Sequence, residues 1–502
     1  MSNAIWAVGR PSGRAAFGLA AVGVTVTMNV GTPLAQANSD EPRGRFVSDD
    51  TVIAVFDQEL APDDSVHQRA AIAAVAGEVV WRARTVPGLV AIRVPRGWSD
   101  VAASYLRTSR VAPRAEAAHD AGFAYGAVPN DADYGRQWGL KNTGQTFVCT
   151  DNGQNTTITA VAGYDIGVEH AWNIRTDCSR KVVAVVDSGV WYPHDELFAN
   201  MWINPDEVSG NGLDDDNNGV VDDVYGANFR DDDPLCYVPG YPLPNKGDPI
   251  EYPKLGVYHG TPVAAIIGAA GNNRAGMTGI CWTAQIMAIR ASSYTYMFSS
   301  CSDVFCENNP DLHALHHIRA IDYAVAEGAH IINASWGFQY DPVGLLEVIE
   351  MARLAGVIFV AIAHNDSIDI DLSTGIAKRF PCVYNLDNII CVGNLGPDGQ
   401  LHSTSNFGRQ SVDIVAPGQY SAATLGLGLF PPIEYCPTEN CFGGTSAAAP
   451  HVSGAIALLW SHYPTWTYSQ VLDRVYSRAR YLPQLSGQVR TGSMLDMTLL
   501  LD

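Results

Sequence analysis

Cationic side chains are scarce in this chain: 31 Lys and Arg stand against 52 Asp and Glu, a formal charge of −21 at pH 7. Such a surface repels phosphate backbones and anionic lipid, so neither nucleic acid nor a membrane is expected as a partner. Cysteine is absent before Cys149 and no Cys-x-x-Cys pair occurs, which argues against a zinc site. No Gly-x-Gly-x-x-Gly follows a first strand, so a dinucleotide enzyme ranks last among the readings. Past the amino terminus, no apolar run is long enough to span a bilayer.

What is present is apolar mass. The 502 residues are 47% hydrophobic and 17% charged, enough for two or three packed units. The whole excess of acid falls in residues 129–502, as do all ten cysteines, from Cys149 to Cys441. An even number confined to one region favours disulfides and an oxidising compartment. Cys301–Cys306, Cys382–Cys391 and Cys436–Cys441 are close enough for local bridges, leaving Cys149, Cys178, Cys236 and Cys281 for two longer ones. The amino terminus agrees with that compartment. Arg10 and Arg14 precede a small-residue apolar run from Ala15 to Val30, and Ala35-Gln36-Ala37 has the small-x-small pattern of signal cleavage. Residues 1–37 are therefore expected to be a secretory signal, and the product to be secreted to the extracellular space, periplasm or cell surface.

Residues 38–128 carry a second expected unit. Within about 51–117, strand-like Thr51 to Phe56 leads to a helix capped by Asp64 and running to Ala76, with Val66, Ala70, Ile72 and Ala73 on one face. Strand patterns at Glu78–Arg82 and Gly88–Val94, a helix from Ser99 and a strand over Arg110–Glu116 complete the order βαββαβ, that of a ferredoxin-like fold. Past residue 180 the pattern changes. Val182–Val186, Gln285–Ile289, Ala329–Asn333, Val357–Ala363 and Ile389–Val392 are short continuous apolar runs, while Leu312–Ala326 and Leu345–Ala355 have helical spacing. Strands apolar on both faces and separated by helices imply an α/β architecture, a mostly parallel sheet covered on both sides. Sites in such sheets form beyond the carboxyl ends of the strands, where Asp187 and Asn365 fall. His313, His316 and His317 cluster on the first of those helices and are read as a solvated face.

Three segments carry chemistry. Asp187-Ser188-Gly189 ends a buried strand, His259-Gly260-Thr261 opens an apolar helix, and Gly443-Gly444-Thr445-Ser446 opens the helix ending near Trp460. Each alone has an ordinary explanation as a cap or a turn. Asp, His and Ser in that order reproduce one known chain order of the serine-hydrolase triad. Asp214-Asp215-Asp216-Asn217-Asn218-Gly219-Val220-Val221-Asp222 places oxygen side chains at alternate positions, as the first nine positions of an EF-hand-type loop do. Asp214, Asp216, Asn218, the Val220 carbonyl and Asp222 are thus expected Ca2+ ligands, although Tyr225 stands where the bidentate Glu belongs.

With Ser335-Trp336-Gly337, Asn365 and the run Ser446 through Pro450-His451-Val452-Ser453-Gly454 added, the sequence resembles the subtilisin-like serine proteases, or subtilases. The resemblance extends over most of residues 129–480. It implies a subtilisin-like peptidase domain over 129–502, with Asp187, His259 and Ser446 as the catalytic triad and the Asn365 amide as oxyanion donor. It also implies that Ser335, Trp336 and Gly337 form an edge that pairs with substrate backbone. The unit at 51–117 then looks like an inhibitory, chaperone-like propeptide, cut away between about Asp120 and Pro129. A second calcium site is implied at Asp131, Glu196 and Asn273, with the carbonyls of Ala270 and Met277. The chain departs from the family pattern at Pro262, Ala265, His364 and Ala447; His364 stands where a glycine precedes the oxyanion Asn. These features lead to the expectation of a secreted, calcium-stabilised, monomeric serine endopeptidase, made as a zymogen and acting on proteins and peptides. The alternative is a catalytically weak or inactive subtilase-fold binding or adhesion module, for which His364 and the acidic insert from Asp206 to Pro253 speak. Asp366, Asp369 and Asp371 either line the pocket for the residue before the cut or form a solvated loop.

Overall fold

The computed structural model describes residues 47–119 with short gaps, 127–151, 154–230, 247–251, 259–292, 310–372, 377–419 and 442–502. The expected signal segment, the middle of the processing linker, Cys236, and the pairs Cys301–Cys306 and Cys436–Cys441 lie outside the described residues.

Alternating burial on short strands builds the first unit. β1 (Val47–Val55), α1 (Val66–Ala74), β2 (Glu78–Arg82), β3 (Leu89–Arg93) and β4 (Arg114–His119) follow one another in the chain. The four strands form an antiparallel sheet in the order β2-β3-β1-β4. Ser65, not Asp64, caps α1 by accepting the Gln68 N–H. The buried face of α1 is Gln68, Ala71 and Ile72, followed by Val75, whereas Val66 is exposed. Ala70 and Ala73 of the expected face are exposed too, because the side of the helix that carries Ala71, Ile72 and Val75 is the one that packs with Val52, Ala54, Val90 and Ile92 of the sheet. The helix expected from Ser99 falls mostly outside the described residues.

A hairpin of β5 (Thr146–Asp151) and β6 (Gln154–Thr159) precedes the large α/β unit. That unit contains α2 (Val168–Trp172), β7 (Asp177–Asp187), β8 (Gly226–Asn228), α3 (Gly260–Gly268), β9 (Thr283–Arg290), α4 (Pro310–Ala326), β10 (Ile331–Ala334) and α5 (Leu345–Leu354). It continues with β11 (Ile358–Ile362), β12 (Ile389–Leu395), β13 (Ile414–Pro417), α6 (Thr445–His462), α7 (Tyr468–Arg478), β14 (Arg480–Tyr481) and β15 (Ser493–Met494). The nine strands run in the order β14-β15-β13-β12-β11-β10-β7-β9-β8, with every pairing parallel except that of β14 with β15. Successive β7 residues feed opposite cores: Val183 and Val185 pack with α3, α6 and α7, while Ala184 and Val186 pack with α4 and α5. This two-sided burial is why the strands read as continuous apolar runs. From β7 the chain moves one way to β9 and the other way to β10, so the strand order reverses beside the carboxyl end of β7, where ligand crevices form.

His316 and His317 are buried, which corrects their reading as a solvated face. The His317 ring lies 4.1 Å from that of Trp336, and its Nε2 is 2.8 Å from the Ser292 hydroxyl. Helix α4 lies on the sheet, and an imidazole with a polar partner is buried there at little cost. Disulfides join Cys382 to Cys391, a local pair, and Cys178 to Cys281.

Candidate active site

Strand β7 delivers Asp187 at its last residue, and α3 begins directly after His259. Gly260 allows the approach: a Cβ there would sit 2.1 Å from the Gly189 carbonyl oxygen and 2.9 Å from the Asp187 Cβ. Asp187 Oδ1 lies 2.8 Å from His259 Nδ1, with both side chains buried. The same oxygen accepts the Ser188 N–H at 2.7 Å. A carboxylate on Nδ1 fixes the imidazole tautomer that leaves Nε2 able to take a proton. Pro262, an expected departure, lies in the first turn of α3, where no intrahelical partner for an N–H exists.

Ser446 is the second residue of α6, a helix buried along almost its whole length that packs against α3. Gly444 caps it at φ +89, and a Cβ there would approach Asn365 Oδ1 to 3.1 Å. Asn365 Oδ1 accepts the Thr445 N–H at 2.9 Å and its hydroxyl at 3.2 Å, which holds the side-chain amide at the start of the helix. Pro450 inside α6 has no N–H to give the Ser446 carbonyl one turn earlier, and the Ser335 hydroxyl donates to that carbonyl at 3.0 Å instead. The Ser446 hydroxyl is 3.4 Å from the Ser335 carbonyl, too long to tie it up. The Phe442 ring stands 5.2 Å from the His259 ring, edge to face. Trp336, beside Ser335, is fixed by an indole N–H donated to the Val186 carbonyl at 2.8 Å.

His364 takes φ +71, the left-handed backbone that glycine adopts freely and histidine more readily than most residues. Its ring faces Gly337, where a Cβ would meet Nε2 at 2.1 Å. Burial first, and then the Arg379 charge, lower its pKa to about 4, so the ring is neutral. His364 therefore holds a dihedral open to glycine while its ring fills the space against Gly337. Asp366 accepts from Arg379 Nε at 2.8 Å and from Asn406 Nδ2 at 3.1 Å, and these partners outweigh burial to keep its pKa low. Asp371 accepts the N–H groups of Gln410 and Ser411, while Asp369 accepts that of Asp371. All three acids are thus occupied in loop structure.

Sequence reasoning missed Glu251. This carboxylate, 2% exposed, accepts the His259 N–H at 2.8 Å and the Thr261 N–H at 2.9 Å, and both the Ser188 and Thr261 hydroxyls donate to it. Burial raises its pKa against these bonds. An isolated acid eight residues before His259 follows no pattern, so only folding identifies it.

Two further acidic places lie apart from this centre. At the first, Glu207, Asp216 and Asp223 bring carboxylate oxygens within 4.8 Å of one another. Asn218 Nδ2 donates to Asp216, Asp223 and Glu327, and the Tyr323 hydroxyl donates to Asp223 at 2.5 Å. Burial raises the pKa of Glu207, Asp223 and Glu327, and Glu207 Oε2 is buried without a partner. Of the residues read from the sequence, Asp216 joins this group. Asp222, at φ +53, turns to accept the Asn211 and Gly212 N–H groups, while Asp214 accepts those of Asn218 and Gly219. At the second place, Asp131 and Glu196 are buried. Asp131 Oδ2 accepts the Asn272 N–H and Glu196 Oε2 accepts Asn273 Nδ2, each at 2.7 Å, but Asp131 Oδ1 and Glu196 Oε1 have no partner. Burial raises Glu196 to about 7, with Asp131 adding repulsion. Buried anionic oxygens lacking donors are the environment a hard cation fits.

The comparisons with known proteins agree with one another. The chain is 30% identical over 329 residues to subtilisin-like protease 1 of Plasmodium vivax, an alignment covering 63% of this chain and 46% of that protein. With subtilisin NAT of Bacillus subtilis subsp. natto it shares 31% over 234 residues, 45% of this chain and 52% of the relative. The chain thus spans about half the length of these relatives. A solved protease from Pseudoalteromonas arctica PAMC 21717 superposes with a TM-score of 0.51 at 20% identity, covering 75% of this chain and 99% of that one, a likeness of fold. The subtilase family itself matches residues 179–492, a span that contains Asp187, His259, Asn365 and Ser446, and the chain therefore belongs to the subtilase family.

Proposed function

We propose that the protein is a secreted, calcium-stabilised serine endopeptidase that hydrolyses peptide bonds in proteins through an acyl-enzyme and is made as a self-processing zymogen. The observation that carries this reading is the buried 2.8 Å contact of Asp187 with His259, at the start of a helix packed on the one that bears Ser446. In this mechanism His259 takes the proton of the Ser446 hydroxyl as the oxygen attacks the scissile carbonyl, then gives it to the leaving amine. Asp187 holds the ring and stabilises the imidazolium. The Asn365 amide and the Ser446 N–H receive the developing oxyanion, and Ser335-Trp336-Gly337 pairs with substrate backbone. Water then attacks the acyl-enzyme, with His259 again as base.

Calcium would be held at Asp131, Glu196 and Asn273 with the carbonyls of Ala270 and Met277. It would also be held at the acidic loop, where Glu207 and Asp223 join Asp214, Asp216, Asn218 and Val220 of the expected set, while Asp222 is turned to the Asn211 and Gly212 N–H groups. Bound there it would neutralise buried charge and brace the surface loops. Residues 38–128 would be the propeptide, acting as an intramolecular inhibitor and cut away before about Pro129. Among the described residues no helix is long and apolar enough to cross a membrane. Casein and peptide hydrolysis by wild type, together with loss of both hydrolysis and self-cleavage in Ser446→Ala, tests the reading. Full proteolysis by that variant would end it.

A further inference from the structure

Asp187 and His259 lie 72 residues apart in the chain, on a strand end and a helix start, and a short loss of register between the two would open their 2.8 Å contact. The side chain that ties these elements together is Glu251. Its Oε1 accepts the Ser188 hydroxyl and the His259 N–H, and its Oε2 accepts the Thr261 N–H and hydroxyl. Four donors fill the usual capacity of a carboxylate. Both hydroxyls are oriented by a backbone donor behind them, Gly260 N–H on Ser188 Oγ at 3.0 Å and Trp191 N–H on Thr261 Oγ1 at 2.8 Å, so each has its own proton to direct at Glu251. Ser188 in turn lies 3.1 Å from Asp187 Oδ1 through its hydroxyl and donates its N–H there at 2.7 Å. A continuous path therefore runs from Glu251 through Ser188 to Asp187 and His259.

Burying a second carboxylate beside Asp187 is costly, and a core needing only filler would use an apolar side chain. Here all four donors belong to the two segments that carry the triad acid and base. Among the described residues, the ionisable groups nearby are Asp187 and His259, with Asp248 and Arg290 held on the Ile250 backbone, the former accepting its N–H and the latter donating to its carbonyl. We propose that Glu251 is a positioning residue that locks the end of β7 to the start of α3, and that its negative charge favours the imidazolium formed during catalysis. The proposal rests on the endopeptidase reading above.

The test uses the processed full chain. Labelling of Ser446 by a fluorophosphonate and turnover of a peptide substrate are followed against pH for wild type, Glu251→Gln, Glu251→Asp, Ser188→Ala and Asp413→Asn. Glu251→Gln is expected to lower kcat about a hundredfold, the loss that a displacement near 1 Å can cause, while KM stays within about twofold. The acid limb of its kcat/KM profile should move roughly one unit to lower pH, as loss of one charge several ångström away predicts. Glu251→Asp should recover the limb and part of kcat. Ser188→Ala should lose about tenfold in kcat. Asp413→Asn removes a different buried carboxylate, one paired with Arg490, and should lower thermal stability without moving either readout. A folded Glu251→Gln enzyme with wild-type kcat and an unmoved limb would overturn the proposal while leaving the endopeptidase reading intact. If that variant does not fold, an unchanged kcat in Ser188→Ala overturns it. A wild-type protein that neither labels nor cleaves overturns both.

Discussion

Glu196 and Glu251 are nearly equal in burial, 3% and 2% exposed, yet they sit in opposite surroundings. At the carboxyl edge of the sheet, Glu251 receives four donors from its own chain. Near the start of the α/β unit, Glu196 receives one from Asn273, keeps an oxygen without a partner and faces Asp131, whose Oδ1 is likewise bare. Burial drives both pKa values upward. The difference lies in where compensation comes from: the segments around Glu251 satisfy both of its oxygens, while the Asp131–Glu196 pair and the Glu207–Asp216–Asp223 group leave charge for something outside the chain to balance. A self-compensated carboxylate holds geometry without help; an uncompensated one makes stability depend on a ligand.

Experiments that break the sheet-edge side of the contrast should give the larger effects. Asn365→Ala is expected to lower kcat by about 10²–10³, roughly 2.7–4 kcal/mol, with little change in KM, measured by peptide turnover. A smaller effect is expected from His451, which is buried in α6 with Nδ1 on the Ala447 carbonyl and has its pKa lowered by burial to about 4. The unfolded chain protonates this ring below about 6.5, whereas the fold does not until about 4. Its contribution is therefore complete above 6.5 and lost as pH falls through that window, up to roughly 2–3 kcal/mol by pH 4.5. The gap between urea midpoints at pH 7 and 4.5 in a Ser446→Ala background should narrow when His451→Gln is added, with the buried His364 keeping part of it open.

The acidic side is sharpened by calcium. Chelation should lower stability by about 2.7 kcal/mol relative to calcium at a hundred times its Kd, with turnover per folded molecule unchanged. In Glu196→Gln part of the calcium-dependent rise in melting temperature should disappear, whereas in Glu251→Gln it should persist in full. The smallest effect separates two ligand sets for the acidic loop. Asp216→Asn should weaken calcium binding measured by titration calorimetry, while Asp222→Asn should change it by less than about 0.5 kcal/mol, since the Asp222 carboxylate is spent on Asn211 and Gly212.

The legible parts were those with local or periodic signatures. Two-sided apolar runs marked β7, β9, β10, β11 and β12 to within a few residues, and helical spacing marked α4 and α5. The short strands β8, β13, β14 and β15 carry too few residues to show a period, and they form because an existing sheet offers an edge. Asp187, His259 and Ser446 were readable as three motifs in a meaningful order. Asn365 stood out only through family resemblance, because one Asn after a strand is chemically unremarked. The acidic loop was read from spacing, but Glu207 and Glu327 join it from outside that spacing, Glu327 from beyond the end of α4.

Sequence alone determined the two-sided strands, the excess of acid and the order of the three reacting types, because each is a property of composition or of neighbours along the chain. Tertiary structure alone decided that Glu251 serves both triad segments, that His364 holds a glycine-like dihedral, and that Asp222 turns away from Asp216. Those outcomes depend on which donors arrive from distant residues to satisfy a buried charge, and nothing local in the chain encodes that arrival.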